Sequence, residues 1–372
     1  MTWIYEQPGW PSFCWDDSAL VAKLAGVRHR QGRLLGRMEA LGFDLRREAS
    51  LATLTDDVLK SSAIEGEVLN RAEVRSSLAR RLGINIGGLV PSPRHVDGIV
   101  EVMLDATQNF EKPLTTERLC GWHAALFPTG HSGIEKITVG AWRTDVSGEM
   151  QVVSGAMGRE QVHFIAPSAS RLVDEMASFI AWFETSSTID PVLKAAIAHF
   201  WFVTIHPFED GNGRLARGIA DMALARADCC PDRYYSMSRQ IETMRKSYYQ
   251  QLEMQQRSDL DITRWLEWFL DCIGLAIDDA GKTLAVVIYK SQLWDKVNQQ
   301  GVNERQRVVL NRMLDGFKGN LNSSKYSKLA KCSSDTALRD IRELLNRSIL
   351  IQNTGGGRST SYRLATIDEL RG

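Results

Sequence analysis

The chain has 372 residues, 44% hydrophobic and 24% charged, with Lys+Arg and Asp+Glu balanced at 45 each. That length allows two or three domains with a sizeable core, and the balance excludes a whole-molecule field steering it toward nucleic acid or an anionic membrane. No stretch approaches the roughly eighteen apolar residues of a membrane span, and MTWIYEQPGWPSF lacks the basic-then-apolar form of a signal peptide. The six cysteines, Cys14, Cys120, Cys229, Cys230, Cys272 and Cys332, show no CxxC or Cys/His spacing that suits zinc. The expectation is free thiols in a cytoplasmic protein with no membrane partner.

Residues 1–16 are aromatic and proline-containing (Trp3, Tyr5, Pro8, Trp10, Pro11, Trp15) and read as an extended segment packed on the body. From Asp17 the spacing of Leu20, Val21, Leu24, Val27, Leu34, Leu35, Met38 and Leu41 predicts a helix capped by Asp16 or Asp17. Residues 50–69 predict a second helix on Leu51, Leu54, Val58, Leu59 and Ile64, with Ser61 and Glu65 one turn apart and Gly66 as terminator. Further helices are expected over 70–82 and 92–110, broken by Pro91 and Pro93, with Gly87-Gly88 as a flexible connection. After a helix over 116–127, capped by Thr115 or Thr116, residues 140–143, 151–153 and 161–165 have β character. Gly155 and Gly158 suit the turn of a hairpin. Helices over 168–185 and 190–204 follow.

The next twelve residues, His206 to Arg217, read HPFEDGNGRLAR and sit between two apolar helical runs. Pro207, Gly211 and Gly213 interrupt helix and gather backbone N–H groups at the start of the following helix. Those amides are unpaired and lie at the positive end of the helix dipole, so they favour an anion. Arg214 and Arg217 lie three apart on one face and can grip phosphate together. Asp210 is a hard oxygen ligand suited to Mg²⁺ or Mn²⁺ beside phosphates. His206 is the group able to take a proton near neutral pH. The stretch therefore reads as a site for a phosphoanhydride, a metal ion and an attacking hydroxyl.

At His206, Phe208, Asp210, Gly211, Asn212, Gly213, Arg214 and Arg217 the segment resembles the Fic family signature HxFx[D/E]GNGRxxR. Fic proteins are typically adenylyltransferases, moving AMP from ATP onto a hydroxyl of a target protein. The resemblance implies His206 as general base and Asp210 as metal holder. It implies Gly211, Asn212, Gly213 and Arg214 around the α- and β-phosphates, and Arg217 on the γ-phosphate. Ser61-Ser62-Ala63-Ile64-Glu65-Gly66 is similar to the family's inhibitory motif [S/T]xxxE[G/N], which implies that Glu65 pairs with Arg217, and that the same glutamate can position water to remove AMP. The hairpin resembles the family's flap, which implies target docking at Gln161, Val162, His163, Phe164 and Ile165 by strand addition. Tyr248 and Tyr249 occur where Fic proteins often place residues near adenine, with core packing as the other reading. The implied partners are ATP, a divalent cation and a target presenting a Tyr, Thr or Ser hydroxyl. Transfer of UMP, phosphocholine or phosphate is a weaker alternative, because Asp210, Arg214 and Arg217 suit an NTP in the usual orientation.

Helices are expected over 238–255 and 262–286, with 287–300 as a linking helix. From Asn303 three helices (304–316, 323–330, 334–347) precede two strands (349–351, 360–364) around the Gly355-Gly356-Gly357 tip. That order resembles a winged helix. Residues 303–364 carry twelve Lys/Arg against five Asp/Glu, a local excess of seven, which suits phosphate backbones. Ser333, Ser334, Thr336 and Arg339 sit where a recognition helix meets a groove. DNA contact, protein contact and a homodimer all remain open. The whole is read as mainly α: an N-terminal helical domain with inhibitory helix (1–90), a Fic helical core with a β-hairpin flap (91–285), a linker helix (286–302) and a small α+β winged helix (303–372). A DNA-binding regulator with a nucleotide-sensing core is the alternative to the enzyme.

Overall fold

The structure is a computed structural model that describes residues 2–84, 89–146, 148–155, 161–186, 188–314, 317, 319–354 and 360–371. The expected Gly87-Gly88 connection, Gly158 and the Gly355-Gly356-Gly357 tip lie outside the described residues. The chain divides into two compact units, residues 1–281 and 282–372.

Residues near the N-terminus form a short 3-10 turn, Ile4–Glu6, and a cis Trp10–Pro11 bond rather than a simple extended run. Tyr5 is buried there, with its ring edge-on to Phe164. Asp16 caps α1 (Asp17–Glu39) by accepting from Ser18 N at 2.8 Å. Next come α2 (Phe43–Ile64), α3 (Arg71–Arg81) and α4 (Arg94–Gln108). The second helix thus starts seven residues before the Ser50 of the sequence reading. The side chain of Thr115 caps α5 (Thr116–Leu126).

Two small hairpins follow: β1 (His131–Ser132) with β2 (Glu135–Lys136), which the sequence reading lacked, and β3 (Gln151–Ser154) with β4 (Gln161–Ile165). Residues 140–143, expected to be β, are not a strand. Their backbone is used elsewhere: Gly140 N donates to His123 Nδ1 at 3.1 Å and Arg143 N to Pro207 O at 2.9 Å.

The centre of the N-terminal unit is α7 (Pro191–Ile205), entered after α6 (Leu172–Glu184). Val192, Leu193 and every residue from Ala195 to Ile205 are buried. A helix apolar all round is stable only when enclosed. It packs along α8 (Asn212–Asp228), whose residues 215–225 are likewise buried. The expected single helix over 238–255 is two, α9 (Met237–Thr243) and α10 (Arg245–Gln256), because Met244 at φ −102°, ψ 23° leaves the helical region between them. The two helices expected over 262–300 are one, α11 (Thr263–Gln300).

The C-terminal unit contains α12 (Glu304–Leu314), α13 (Ser323–Ala330), α14 (Ser334–Asn346), the antiparallel pair β5 (Leu350–Gln352) and β6 (Tyr362–Leu364), and an unanticipated α15 (Ile367–Arg371). Val309, Leu310, Tyr326, Ile341, Leu344 and Leu350 form its core with Leu293 and Val297.

Candidate functional site at the turn between α7 and α8

The turn is held by its own side chains. His206 caps α7 in the left-handed region (φ 53°), and Gly211 opens α8 at φ +80°, where a Cβ would also meet Phe127 at 2.9 Å. Glycine is the residue that meets both conditions. Phe208 is fully buried and stacks on His123 with ring centres 4.1 Å apart. Asn212 brackets the Phe208 backbone: its Oδ1 accepts from Phe208 N at 3.0 Å and its Nδ2 donates to Phe208 O at 2.8 Å. The Asn212 side chain therefore builds the turn and does not face a ligand. What it offers an anion is its backbone N–H, with those of Gly213 and Arg214, in the first turn of α8.

His206 Nδ1 lies 3.2 Å from Val203 O, which fixes the proton on Nδ1 and leaves Nε2 as a lone-pair base. Burial lowers its pKa to about 4, so the imidazole is neutral at physiological pH. Arg143, itself buried, donates from Nε to His206 O at 2.8 Å and from its backbone N to Pro207 O at 2.9 Å. His123 is held at both nitrogens, with Nδ1 accepting from Gly140 N and Nε2 facing Asp210 O at 3.2 Å.

Asp210 stands at the rim with its carboxylate about half exposed. Gly211 N donates to its Oδ1 at 2.5 Å, and the Ser132 hydroxyl donates to Oδ2. Among the described residues no three His, Cys, Asp or Glu side chains form a metal cluster. A lone carboxylate nevertheless has the chemistry for Mg²⁺ that arrives with phosphate oxygens and waters as its other ligands.

Arg217 is buried and meets α2. Its Nε donates to Ser61 Oγ and its Nη2 to Ser61 O, both at 2.9 Å, and Nη2 pairs with Glu65 Oε1 at 2.7 Å. Burial works against the Arg217 charge, but Glu65 and Tyr248 beside it outweigh burial and raise its pKa. Glu65 also crowds the start of α8: a Cβ at Gly213 would collide with Glu65 Oε1. Arg214 lies over the Phe127 ring at 4.9 Å and pairs through Nη1 with Glu67 Oε2 at 3.2 Å. The turn thus brings together His206, Asp210, Gly211, Asn212, Gly213, Arg214, Arg217, Ser61 and Glu65.

The tyrosines divide. Tyr248 is buried with its hydroxyl 2.9 Å from His199 Nε2, which places it in the core. Tyr249 is 39% exposed and donates to Ile64 O at 3.4 Å, at the end of α2.

The flap residues divide too. Gln161 and Val162 are exposed and Phe164 is buried on Trp3 and Tyr5. Val152 pairs with Phe164 and Val153 with Val162, so His163 is the extra residue of a bulge. It turns toward Glu253, with Nδ1 3.0 Å from Oε2. Arg257 donates to both Val162 O (3.3 Å) and His163 O (3.0 Å), so part of the predicted docking edge already carries a partner.

Sequence reasoning missed His123, Ser132, Arg143 and Glu67. Only Glu67 had a local signal, as the carboxylate on the far side of the Gly66 terminator.

A mainly helical unit with an imidazole closing one helix and an anion-receptive N-terminus opening the next defines a Fic-type domain. Residues 113–224 match the model of the Fic/DOC family, and residues 3–84 match a domain of unknown function, DUF4172. The chain thus carries a Fic domain. It is similar to protein adenylyltransferase Fic of Drosophila sechellia, 28% identical over 236 residues, 62% of this chain and 43% of that protein. It is also similar to protein adenylyltransferase fic-1 of Caenorhabditis elegans, 33% identical over 114 residues, 29% of this chain and 21% of that protein. The chain thus spans less than half the length of these curated relatives. A solved Fic family protein from Desulfovibrio desulfuricans G20 shares the fold, with TM-score 0.51 and 21% identity over 93% of this chain and 96% of that one. Among the described residues no helix is long and apolar enough to cross a membrane.

Proposed function

We propose that this chain transfers AMP from ATP to a hydroxyl side chain of a target protein. The triphosphate lies on the first turn of α8, with Arg214 toward the β-phosphate and Arg217 toward the γ-phosphate. The target hydroxyl oxygen attacks the α-phosphorus, the bond to the β-phosphate oxygen breaks and pyrophosphate leaves. His206 Nε2 takes the hydroxyl proton. Asp210 would hold Mg²⁺ or Mn²⁺, which when bound offsets charge on the phosphates. Most of the acceleration then comes from positioning and charge stabilisation. The observation that carries this reading is the neutral His206, Nε2 free, at the mouth of an α8 N-terminus flanked by two arginines.

Glu65 on Arg217 takes the γ-phosphate's partner and places a like charge beside the nucleotide, so the resting chain is inhibited. The same carboxylate, oriented toward water, supports removal of AMP. The test is auto-modification with α-labelled ATP. Glu65→Gly raises labelling, and adding His206→Ala abolishes it, a loss of about 10²–10⁴-fold. Labelling unchanged by Glu65→Gly refutes the inhibition. Free thiols at all six cysteines support a cytoplasmic setting.

A second reading concerns the C-terminal unit, proposed as a winged helix that contacts DNA. Lys328, Lys331, Arg339 and Arg342 are exposed on or beside α13 and α14. Binding to duplex DNA should weaken with salt and vanish on deletion of residues 303–372. Retention after deletion would remove this reading.

A further inference from the structure

α2 ends in a Schellman turn. Glu65 is the C-cap, Gly66 follows at φ +87°, Gly66 N donates to Ala63 O and Glu67 N to Ser62 O, both at 3.0 Å. The turn folds the chain back, so the two carboxylates either side of Gly66 meet two different guanidiniums. Glu65 takes Arg217 at 2.7 Å and Glu67 takes Arg214 at 3.2 Å. Neither guanidinium is saturated by its carboxylate. Arg214, with its side chain 10% exposed, has a buried Nε without a partner, and Arg217, at 2%, has a buried Nη1 without one. Buried donors of this kind are costly unless a further acceptor arrives. Phe127 lies beneath Arg214, with the guanidinium carbon 4.9 Å from the ring centre.

We propose that Glu67 is a second phosphate mimic, occupying Arg214 as Glu65 occupies Arg217, and that it sets how the site discriminates nucleotides by phosphate number. The proposal rests on the nucleotide reading above, with Arg214 toward the β-phosphate and Arg217 toward the γ-phosphate. Glu65 then taxes most heavily the ligands that carry a γ-phosphate, since only they lose Arg217 as a partner. Glu67 taxes every ligand with a β-phosphate. A ligand with the α-phosphate alone, held by the amides of α8, is indifferent to Glu67. Both carboxylates hang on one turn, so a single movement at Gly66 withdraws both.

The test is calorimetric titration of Mg²⁺ with ATP, ADP or AMP into the full chain carrying His206→Ala, which prevents turnover. Glu67→Gln is compared with Glu65→Gly and with the pair. Glu67 is partly exposed, so its removal should tighten ATP and ADP by the same factor, about two- to fivefold, and leave AMP unchanged. Glu65→Gly should tighten ATP more than ADP, and the pair should tighten ATP by more than either substitution alone. Glu67→Asp, which keeps the charge on a shorter arm, should fall between wild type and Glu67→Gln. Glu67→Gln leaving ADP unchanged, or tightening AMP as much as ADP, overturns the proposal while the nucleotide site stands. No binding of any nucleotide to the doubly substituted chain overturns the nucleotide reading itself, and this proposal with it.

Discussion

Arg233 is fully buried in the N-terminal unit, paired with Asp221 at 3.4 Å and Asp228 at 3.1 Å, whereas Asp340 is buried in the C-terminal unit between Arg305, Asn303 and Tyr326. Around Asp340 the pairing is complete. Oδ1 accepts from Asn303 Nδ2 and Arg305 Nη2, both at 3.1 Å, and Oδ2 from Arg305 Nε at 3.0 Å and Tyr326 OH at 3.2 Å. Burial pushes the Asp340 pKa up, but these donors outweigh it and the net shift is down, so the group stays ionised. Around Arg233 it is not complete: Asp57 Oδ2, Asp221 Oδ2 and Arg233 Nε are buried without partners. Burial, then Asp221, drives the Asp57 pKa well up, and burial lifts Asp221 to about 6. The difference separates a polar group that only builds a core from a seam that leads to the site. Asp57, Ser61 and Glu65 recur every four residues on α2, and Arg217 and Asp221 are four apart on α8. The under-paired seam therefore runs directly into the Glu65–Arg217 contact.

The largest expected effect breaks the seam. Arg233→Met leaves buried carboxylates uncompensated and should cost about 3–5 kcal/mol in denaturant unfolding, well beyond the loss from Arg305→Met at the half-exposed partner of Asp340. The imidazole above the seam gives the next. A base of ordinary pKa near 6.5 would be about thirtyfold protonated at pH 5. With His206 held at about 4, labelling by the Glu65→Gly chain should hold from pH 7 to 5 and be half lost near pH 4. A half-point near 6.5 would show that the imidazole is not buried in solution.

Gly66→Val forces a β-branched residue into the left-handed region, at roughly 1–2 kcal/mol. It should loosen both carboxylate contacts, so that ATP and ADP bind more tightly while AMP does not; unchanged titrations would show that the turn is not what holds them. The smallest effect sharpens the contrast in titration. The folded pKa of Asp221 lies above the usual carboxylate value, so its contribution is present at acid pH and lost as pH rises through about 6. His123 and His206, depressed to about 4, contribute the opposite slope: stability present above about 6.5 and lost as pH falls toward 4. Asp57, whose proton is held by burial and then by the charge on Asp221, contributes the same slope as Asp221, and Asp57→Asn removes that contribution. The variant should therefore lose on the order of 1 kcal/mol more than wild type between pH 6.5 and 5, as thermal melts would record; parallel curves would uncouple the two aspartates.

The twelve-residue turn was legible because its constraints are local: a proline, two glycines, a histidine and two arginines fix backbone and charge without help from elsewhere. The same holds for Ser61, Glu65 and Gly66, whose spacing is that of one helical turn and its end. What sequence could not supply were supports reaching from far along the chain, such as Arg143 to His206 across 63 residues, Ser132 to Asp210 across 78 and His123 to Asp210 across 87. Nor could it divide side chain from backbone at Asn212, whose amide turns inward on Phe208. Tyr248 and Tyr249 were adjacent letters with opposite fates, because one helix face meets His199 and the next meets the end of α2. The breaks near 140–143 and at Met244 follow from tertiary bonds and a single dihedral, which periodicity does not record.

Arg143 ties His206 to a distant part of the chain. One guanidinium donates to His206 O and to Pro167 O, just past β4, while the same residue's amide holds Pro207 O. The imidazole's carrier and the exit of β4 are therefore riveted to one side chain. A tug on that strand reaches His206 along a stiff linkage instead of dissipating in loose loop.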